Sequence, residues 1–172
     1  MALAEDTERR LNIMIAGYVA SAFLASSFAI MTWAHVIPGS NAFLMGGRAM
    51  GFFKDPNVFG PFLVLPAIVL IGRILAGHYR SLIFNLALLG PILVGVLFSF
   101  SRGAWGHFVA STLLLAGLSF LTVRTNKERL RIIFFAVLGV VAATLLLGAV
   151  LSIGSVGSLF QERASRAMVK SW

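Results

Sequence analysis

The 172 residues are 59% hydrophobic and only 12% charged, with a mean hydropathy of +0.93. Soluble domains carry about twice that share of charge, so the composition excludes an ordinary water-soluble core and indicates a multi-pass membrane protein. The net charge of +8 is spread between apolar segments, which argues against a nucleic-acid-binding face and favours a phosphate or anionic-lipid partner, and the absence of cysteine excludes disulfides and thiolate metal sites.

Five apolar segments predict an all-α fold, a multi-pass transmembrane helical bundle that forms one domain. The first segment is too long for a signal-peptide core, so we expect a retained helix. Residues 154–172 have apolar side chains at helical spacing and charged ones mainly elsewhere, which predicts an amphipathic helix on the membrane surface. The predicted spans are 11–34, 56–76, 81–100, 105–123 and 132–153.

The most unusual stretch of the sequence, Arg48–Pro61, leads into the second span and is called here the first motif. Asp55 is predicted to cap the helix that follows, because its carboxylate can accept from the free N–H groups of a first turn. Pro56 suits the first helical position, where no N–H is needed. Together with Asn57, these residues are expected to shape the helix start.

A second motif, Ser99–Gly106, makes a tight reversal between the third and fourth predicted spans. Arg102 lies at this turn and not in a loose loop, and Ser101 and Gly103 flank it. A guanidinium held at such a turn suits planar, bidentate contacts with phosphate oxygens. The alternative role is interfacial anchoring, in which Arg102 snorkels towards the lipid headgroups.

The Lys and Arg residues predict which loops share a side of the membrane. The N-terminus and the loops before the third and fifth spans carry slightly more of them, so these segments are expected in the cytoplasm. The 35–55 loop and the second motif would then face outward. This topology would bring Arg48, Lys54 and Arg102 to one face with few acids, which suits an anionic ligand.

The sequence offers no convincing catalytic base and no metal site. No Asp or Glu lies within a predicted span, which argues against a proton-coupled pump and against hydrolysis by a carboxylate pair. His35, His78 and His107 lack metal-ligand spacing. Asn85, a polar residue in the third span, is expected to make an interhelical hydrogen bond. We therefore assign neither a metal nor another cofactor.

Together the two motifs resemble those of the O-antigen ligase and polymerase family, which are multi-pass glycosyltransferases of the bacterial inner membrane. The resemblance is carried by Arg48 with Gly51–Gly60, followed one helical hairpin later by Phe98–Trp105. The run 159–166 also resembles the approach to the family's large periplasmic loop. Each motif is short, and it is their order and spacing across the spans that indicate the family.

The resemblance implies transfer of a glycan from an undecaprenyl diphosphate carrier to lipid A core sugar or to a growing polysaccharide, without a metal. Arg48, Arg102 and Lys54 would contact the diphosphate. The family's periplasmic loop, which carries the proposed base, would begin near Trp172, so we expect a fragment of a larger enzyme that is inactive alone. The alternative is a non-enzymatic small membrane subunit, or a remnant, that binds anionic lipid or a partner protein.

Overall fold

The computed structural model describes residues 2–76, 81–123 and 125–152, and over these residues the chain is mostly helical, as predicted. The predicted amphipathic helix over 154–172 lies outside the described residues. The elements in chain order are α1 (Ala2–Trp33), a 3-10 helix (Ser40–Phe43), β1 (Leu44–Met45), β2 (Arg48–Ala49), α2 (Pro56–Leu75), α3 (Leu82–Phe98), α4 (Arg102–Thr122) and α5 (Asn126–Ser152).

Several helices begin before the predicted spans. Helix α1 begins at Ala2 and not at residue 11, and α4 begins at Arg102 and not at residue 105. Hydropathy marks the apolar part of a helix, whereas the backbone stays helical into the polar flank. The antiparallel pair β1–β2, which pairs Leu44 with Ala49 and Met45 with Arg48, is an element that the sequence did not predict.

Within the described part of the chain, three helices are long and apolar enough to cross a membrane by length and composition: α1, α2 and α4. Helix α3 is also apolar but has 17 residues. At 1.5 Å per residue it spans about 25 Å, slightly less than a hydrocarbon core of about 30 Å. The chain is therefore a helical protein with membrane-compatible helices, and the full count of five spans remains a prediction.

The chain divides into two compact units, Met1–Thr122 and Val123–Trp172. In the first unit, α2 packs against both α3 and α4, and α1 packs against α3 and α2. Helix α1 contributes small buried side chains spaced three and four residues apart, which allows close helix contact. These are Ala22, Ala25, Ser26 and Ala29.

Gly95 marks the point where three helices of the first unit meet. A Cβ atom at Gly95 would lie 2.8 Å from Ser26 Cβ on α1 and 2.8 Å from Leu63 Cδ1 on α2. Real Cβ atoms essentially never approach neighbours this closely. The missing side chain at this position therefore sets the spacing of α1, α2 and α3.

A hydrogen bond between helices compensates for a proline inside α2. Pro66 has no N–H, so the carbonyl of Phe62, four residues earlier, lacks its usual helical donor. The Tyr18 hydroxyl of α1 donates to that carbonyl at 2.8 Å, and the two aromatic rings lie 5.0 Å apart. Tyr18 thereby joins α1 to α2 at a defect in the α2 hydrogen-bond ladder.

The polar residue of α3 behaves differently from the prediction. Asn85 is buried, but its side-chain amide donates to the Ser81 hydroxyl one turn earlier, at 3.2 Å. The prediction of an interhelical hydrogen bond is therefore wrong, because the described bond of Asn85 stays within its own helix. A hydroxyl at the start of the same helix lies within reach of the amide, so a local bond satisfies it.

The second unit is described through α5. The Thr125 hydroxyl donates to the Glu128 carboxylate at 2.7 Å, and the Arg129 N–H donates to the Thr125 carbonyl at 3.2 Å. These two contacts place Thr125 immediately before the first residue of α5, with its carbonyl accepting the first helical hydrogen bond. Glu128 lies in the first turn, where a carboxylate interacts favourably with the helix dipole.

Candidate functional site

The N-terminus of α2 forms as the sequence predicted. Asp55 has an extended backbone (φ −143°, ψ 131°), and its carboxylate accepts from the Asn57 N–H at 2.7 Å. Pro56 occupies the first helical position and is buried. The predicted cap is therefore confirmed. Because the Asp55 carboxylate is engaged by the helix N-terminus, its negative charge is already offset.

Two serines build the reversal between α3 and α4. The Ser99 hydroxyl donates to the Val96 carbonyl at 2.7 Å and accepts from the Ser101 N–H at 3.3 Å. The Ser101 hydroxyl accepts from the Ala104 N–H at 3.3 Å, so Ser101 caps α4. This cap explains why α4 begins at residue 102, three residues before the predicted span.

Trp105 ties the start of α4 to the end of α3. Its indole N–H donates to the Val96 carbonyl at 3.0 Å. Val96 lies in the last turn of α3, where carbonyl groups have no helical donor. The Val96 carbonyl thus accepts from two side chains, the Ser99 hydroxyl and, from α4, the Trp105 indole. This role of Trp105 is not among the sequence-based predictions, although a tryptophan one turn after a tight reversal is a signal for it.

The start of α2 packs directly against this reversal through Gly60. A Cβ atom at Gly60 would lie 2.7 Å from Ala104 Cβ, 2.7 Å from the Ser99 hydroxyl oxygen and 3.3 Å from Ser101 Cβ. Only a residue without a side chain fits between the two segments. The first and second motifs, 38 or more residues apart along the chain, are therefore in contact.

Arg48 connects the same two motifs by hydrogen bonds. From β2, its Nε–H donates to the Ser99 carbonyl at 2.9 Å, and its Nη2 donates to Asn57 Oδ1 at 2.7 Å. Ser99 follows the last residue of α3, so the guanidinium lies at the negative end of that helix dipole. Arg48 is half-buried and joins the α1–α2 loop, the start of α2 and the end of α3.

The two other cations predicted to contact the ligand, Lys54 and Arg102, do not take part in the Arg48 contact. Lys54 and Arg102 are exposed, and within the described part of the chain neither side chain has a hydrogen-bond or ion-pair partner. Arg102 follows Ser99 by three residues, so their Cα atoms are at most about 11 Å apart. Arg102 therefore lies close to the Arg48 contact. Gly103, the next residue of α4, is also exposed.

The electrostatics at the start of α4 are unusual for a helix. Arg102 is its first residue, and the first turn contains no acid. A cation there is opposed by the positive end of the helix dipole, whereas an anion would be stabilised by both the dipole and the guanidinium. The arrangement can therefore attract an anion, and Lys54 is a further exposed cation on the first motif.

His35 and His107 belong to the described part of the chain, and His78 lies outside it. Among the described residues, no group of three or more His, Asp or Glu side chains lies close enough to hold a metal ion. His35 Nδ1 is 2.9 Å from the Ser40 hydroxyl, which gives this ring a local partner. His107 is exposed on α4. Among the described contacts its side chain makes no hydrogen bond.

Comparison of the sequence with protein-family models, with curated proteins and with solved structures found no match. The site is therefore described from its geometry alone. It brings together Arg48, Asn57 and Ser99, with Asp55 and Arg102 beside them. The role of each cation towards a ligand remains a prediction.

Proposed function

We propose that this chain binds the diphosphate of an undecaprenyl-linked glycan at the periplasmic face of the bacterial inner membrane. In this proposal it forms the five-span, carrier-binding part of an enzyme similar to O-antigen ligases and polymerases. The complete enzyme transfers the glycan to lipid A core sugar or to a growing polysaccharide. The chain contributes binding of the leaving group, and we assign the acceptor-activating base to no described residue.

The observation that carries the proposal is the double hydrogen bond of Arg48. One guanidinium contacts the Ser99 carbonyl and the Asn57 side chain, and these belong to the two motifs on which the family resemblance rests. Motifs that serve one site need to meet in space. The close approach of Gly60 to the second motif supports the same conclusion independently.

The charges near this contact suit a diphosphate. Arg102 and Lys54 are exposed. The Asp55 carboxylate accepts the hydrogen bond that caps α2. During glycan transfer, negative charge grows on the diphosphate as the glycosidic bond breaks. Preorganised cations and helix N-termini lower the energy of that charge more than they lower the energy of the bound carrier. Arg102 is the proposed direct contact, since it is not part of the Arg48 bridge.

A binding experiment on the purified chain in nanodiscs tests the proposal. Undecaprenyl diphosphate is titrated against wild type, Arg102→Lys and, as a matched control at the other end of α2, Arg73→Lys. A charge-assisted hydrogen bond contributes about 1.5–3 kcal/mol, so Arg102→Lys should weaken binding about ten- to a hundredfold. Arg73→Lys should bind as wild type does.

Two results would count against the proposal. Wild-type affinity in Arg102→Lys would remove the bidentate contact and leave interfacial anchoring, because both side chains can snorkel. Equal affinity for phosphatidylglycerol and for undecaprenyl diphosphate would favour the alternative, a non-enzymatic subunit that binds anionic lipid. In the complete enzyme, glycan transfer in cells at matched protein levels should fall with Arg102→Lys by the same factor.

A further inference from the structure

The hairpin part of the loop between α1 and α2, residues 43–53, lies alongside α1 and not beyond its end. Phe43 and Phe52, from the two sides of the β1–β2 hairpin, both contact Phe28 of α1, with ring centroids 4.9 and 4.3 Å away. Phe28 precedes the last residue of α1, Trp33, by five residues. At 1.5 Å per residue, the two rings lie about 7.5 Å below the helix end.

The backbone of the hairpin also lies alongside α1. A Cβ atom at Gly51 would lie 3.3 Å from the Ala25 carbonyl oxygen of α1 and 2.9 Å from the Phe59 ring. Gly51 has φ +59° and no room for a side chain. Ala25 precedes Trp33 by eight residues, so this part of the loop lies about 12 Å below the end of α1. The hairpin therefore runs back along the helix.

The exposed side chains of the hairpin are apolar, including the part of the Phe52 ring that the Phe28 stack leaves uncovered. Phe52 is 64% exposed and Met45 47% exposed. On α1, Leu24 and Met31 are likewise exposed over the same length of helix. Because α1 is long and apolar enough to span a membrane, its exposed side chains face lipid in that setting, and the hairpin surface continues them.

The hairpin also satisfies backbone polar groups locally. Beyond the β1–β2 pairing, the Met50 N–H donates to the Phe43 carbonyl at 3.3 Å, and the Phe53 N–H donates to the Met50 carbonyl at 3.0 Å. Non-helical backbone at membrane depth is tolerated only where it is buried in protein or lines a water-filled cavity. Ala49 and Gly51 are buried, and the bonds above satisfy further backbone groups, so the hairpin meets part of that requirement.

We propose that the hairpin 43–53 is embedded in the bilayer leaflet at the C-terminal end of α1, where Phe52 and Met45 contact lipid acyl chains. The occupant of this apolar surface is therefore lipid and not a partner protein. The inference rests on the position of the hairpin along α1 and does not depend on the diphosphate-binding function. A chain that binds no carrier would still insert the hairpin.

The absence of cysteine makes a site-specific test direct. Met45→Cys and Phe52→Cys are spin-labelled and reconstituted in nanodiscs of phosphatidylethanolamine and phosphatidylglycerol. Collision rates with oxygen, which concentrates in the hydrocarbon, and with a water-soluble nickel chelate are then measured. Leu24→Cys on α1 serves as the lipid-facing control. Glu8→Cys, in the polar first part of α1, serves as the water-facing control.

We expect the ratio of oxygen to nickel collisions at residues 45 and 52 to approach that at Leu24 and to exceed that at Glu8. A ratio equal to that at Glu8 would place the hairpin in water and overturn the proposal. Low collision with both reagents would show a covering protein surface and overturn it equally. Met45 takes no part in the Phe28 stack, so its result stands even if Phe52→Cys loosens the hairpin.

Discussion

Arg48→Gln removes the hydrogen bonds that hold the α1–α2 loop against the ends of α2 and α3. Two charge-assisted bonds are lost, at 2.9 Å to the Ser99 carbonyl and at 2.7 Å to Asn57 Oδ1. Each contributes about 1.5–3 kcal/mol when well shielded. The guanidinium is only half-buried, so solvent competes, and we expect the free energy of unfolding to fall by about 2 kcal/mol in total.

Arg48→Lys separates charge from geometry. An ammonium keeps a cation at the C-terminal end of α3, where the helix dipole favours it. It lacks the planar fork that reaches Ser99 and Asn57 together. The loss in Arg48→Lys should therefore be about half that in Arg48→Gln, close to 1 kcal/mol.

Equilibrium unfolding in mixed micelles with increasing SDS measures these differences. Lys54→Gln is the control, because this exposed cation has no side-chain partner in the described part of the chain, and it should leave the midpoint unchanged. A double-mutant cycle of Arg48→Gln with Asn57→Ala should give a coupling of about 1 kcal/mol. Wild-type stability in Arg48→Gln together with zero coupling would refute the bridge as a stabilising contact.

Two further predictions follow from contacts within the first unit, and a third follows from the predicted topology. Gly60→Ala should lower the SDS midpoint, since overpacking costs about 1–3 kcal/mol, while Gly90→Ala, with open space around it, should not. Tyr18→Phe should lose about 1 kcal/mol of stability, because its hydroxyl bonds a carbonyl of α2. Alkaline phosphatase fused after Gly103 should be active outside the cytoplasm and inactive after Ala76; the reverse pattern would contradict the predicted topology.

The sequence predicts features that depend on neighbouring residues. The Asp55 cap follows from local chemistry, since an Asp-Pro pair before an apolar run has a known helix-starting geometry. The helical class follows from long apolar segments. The predicted start of α4 is too late because apolar composition marks only the apolar part of the helix, whereas Ser101, a hydroxyl residue, caps it three residues earlier.

The contacts between distant segments could not be predicted in the same way. The bond from Arg48 to the Ser99 carbonyl joins residues 51 positions apart, and a backbone carbonyl carries no signature in the sequence. The β1–β2 hairpin has two residues per strand, too few for an alternating pattern to appear. Gly60 lies within the first motif, but its contact with the turn before α4 becomes evident only when the helices are packed.

The hydrogen bond between Tyr18 and Phe62 has a consequence for the order of membrane insertion during synthesis. Until a donor reaches it, the Phe62 carbonyl freed by Pro66 would face hydrocarbon, where an unsatisfied backbone group costs several kcal/mol. Tyr18 precedes Phe62 by 44 residues, so it leaves the ribosome before Phe62 does. Helix α1 is thus already in place to receive α2 at the translocon, and the two helices should leave it as a hairpin and not one at a time.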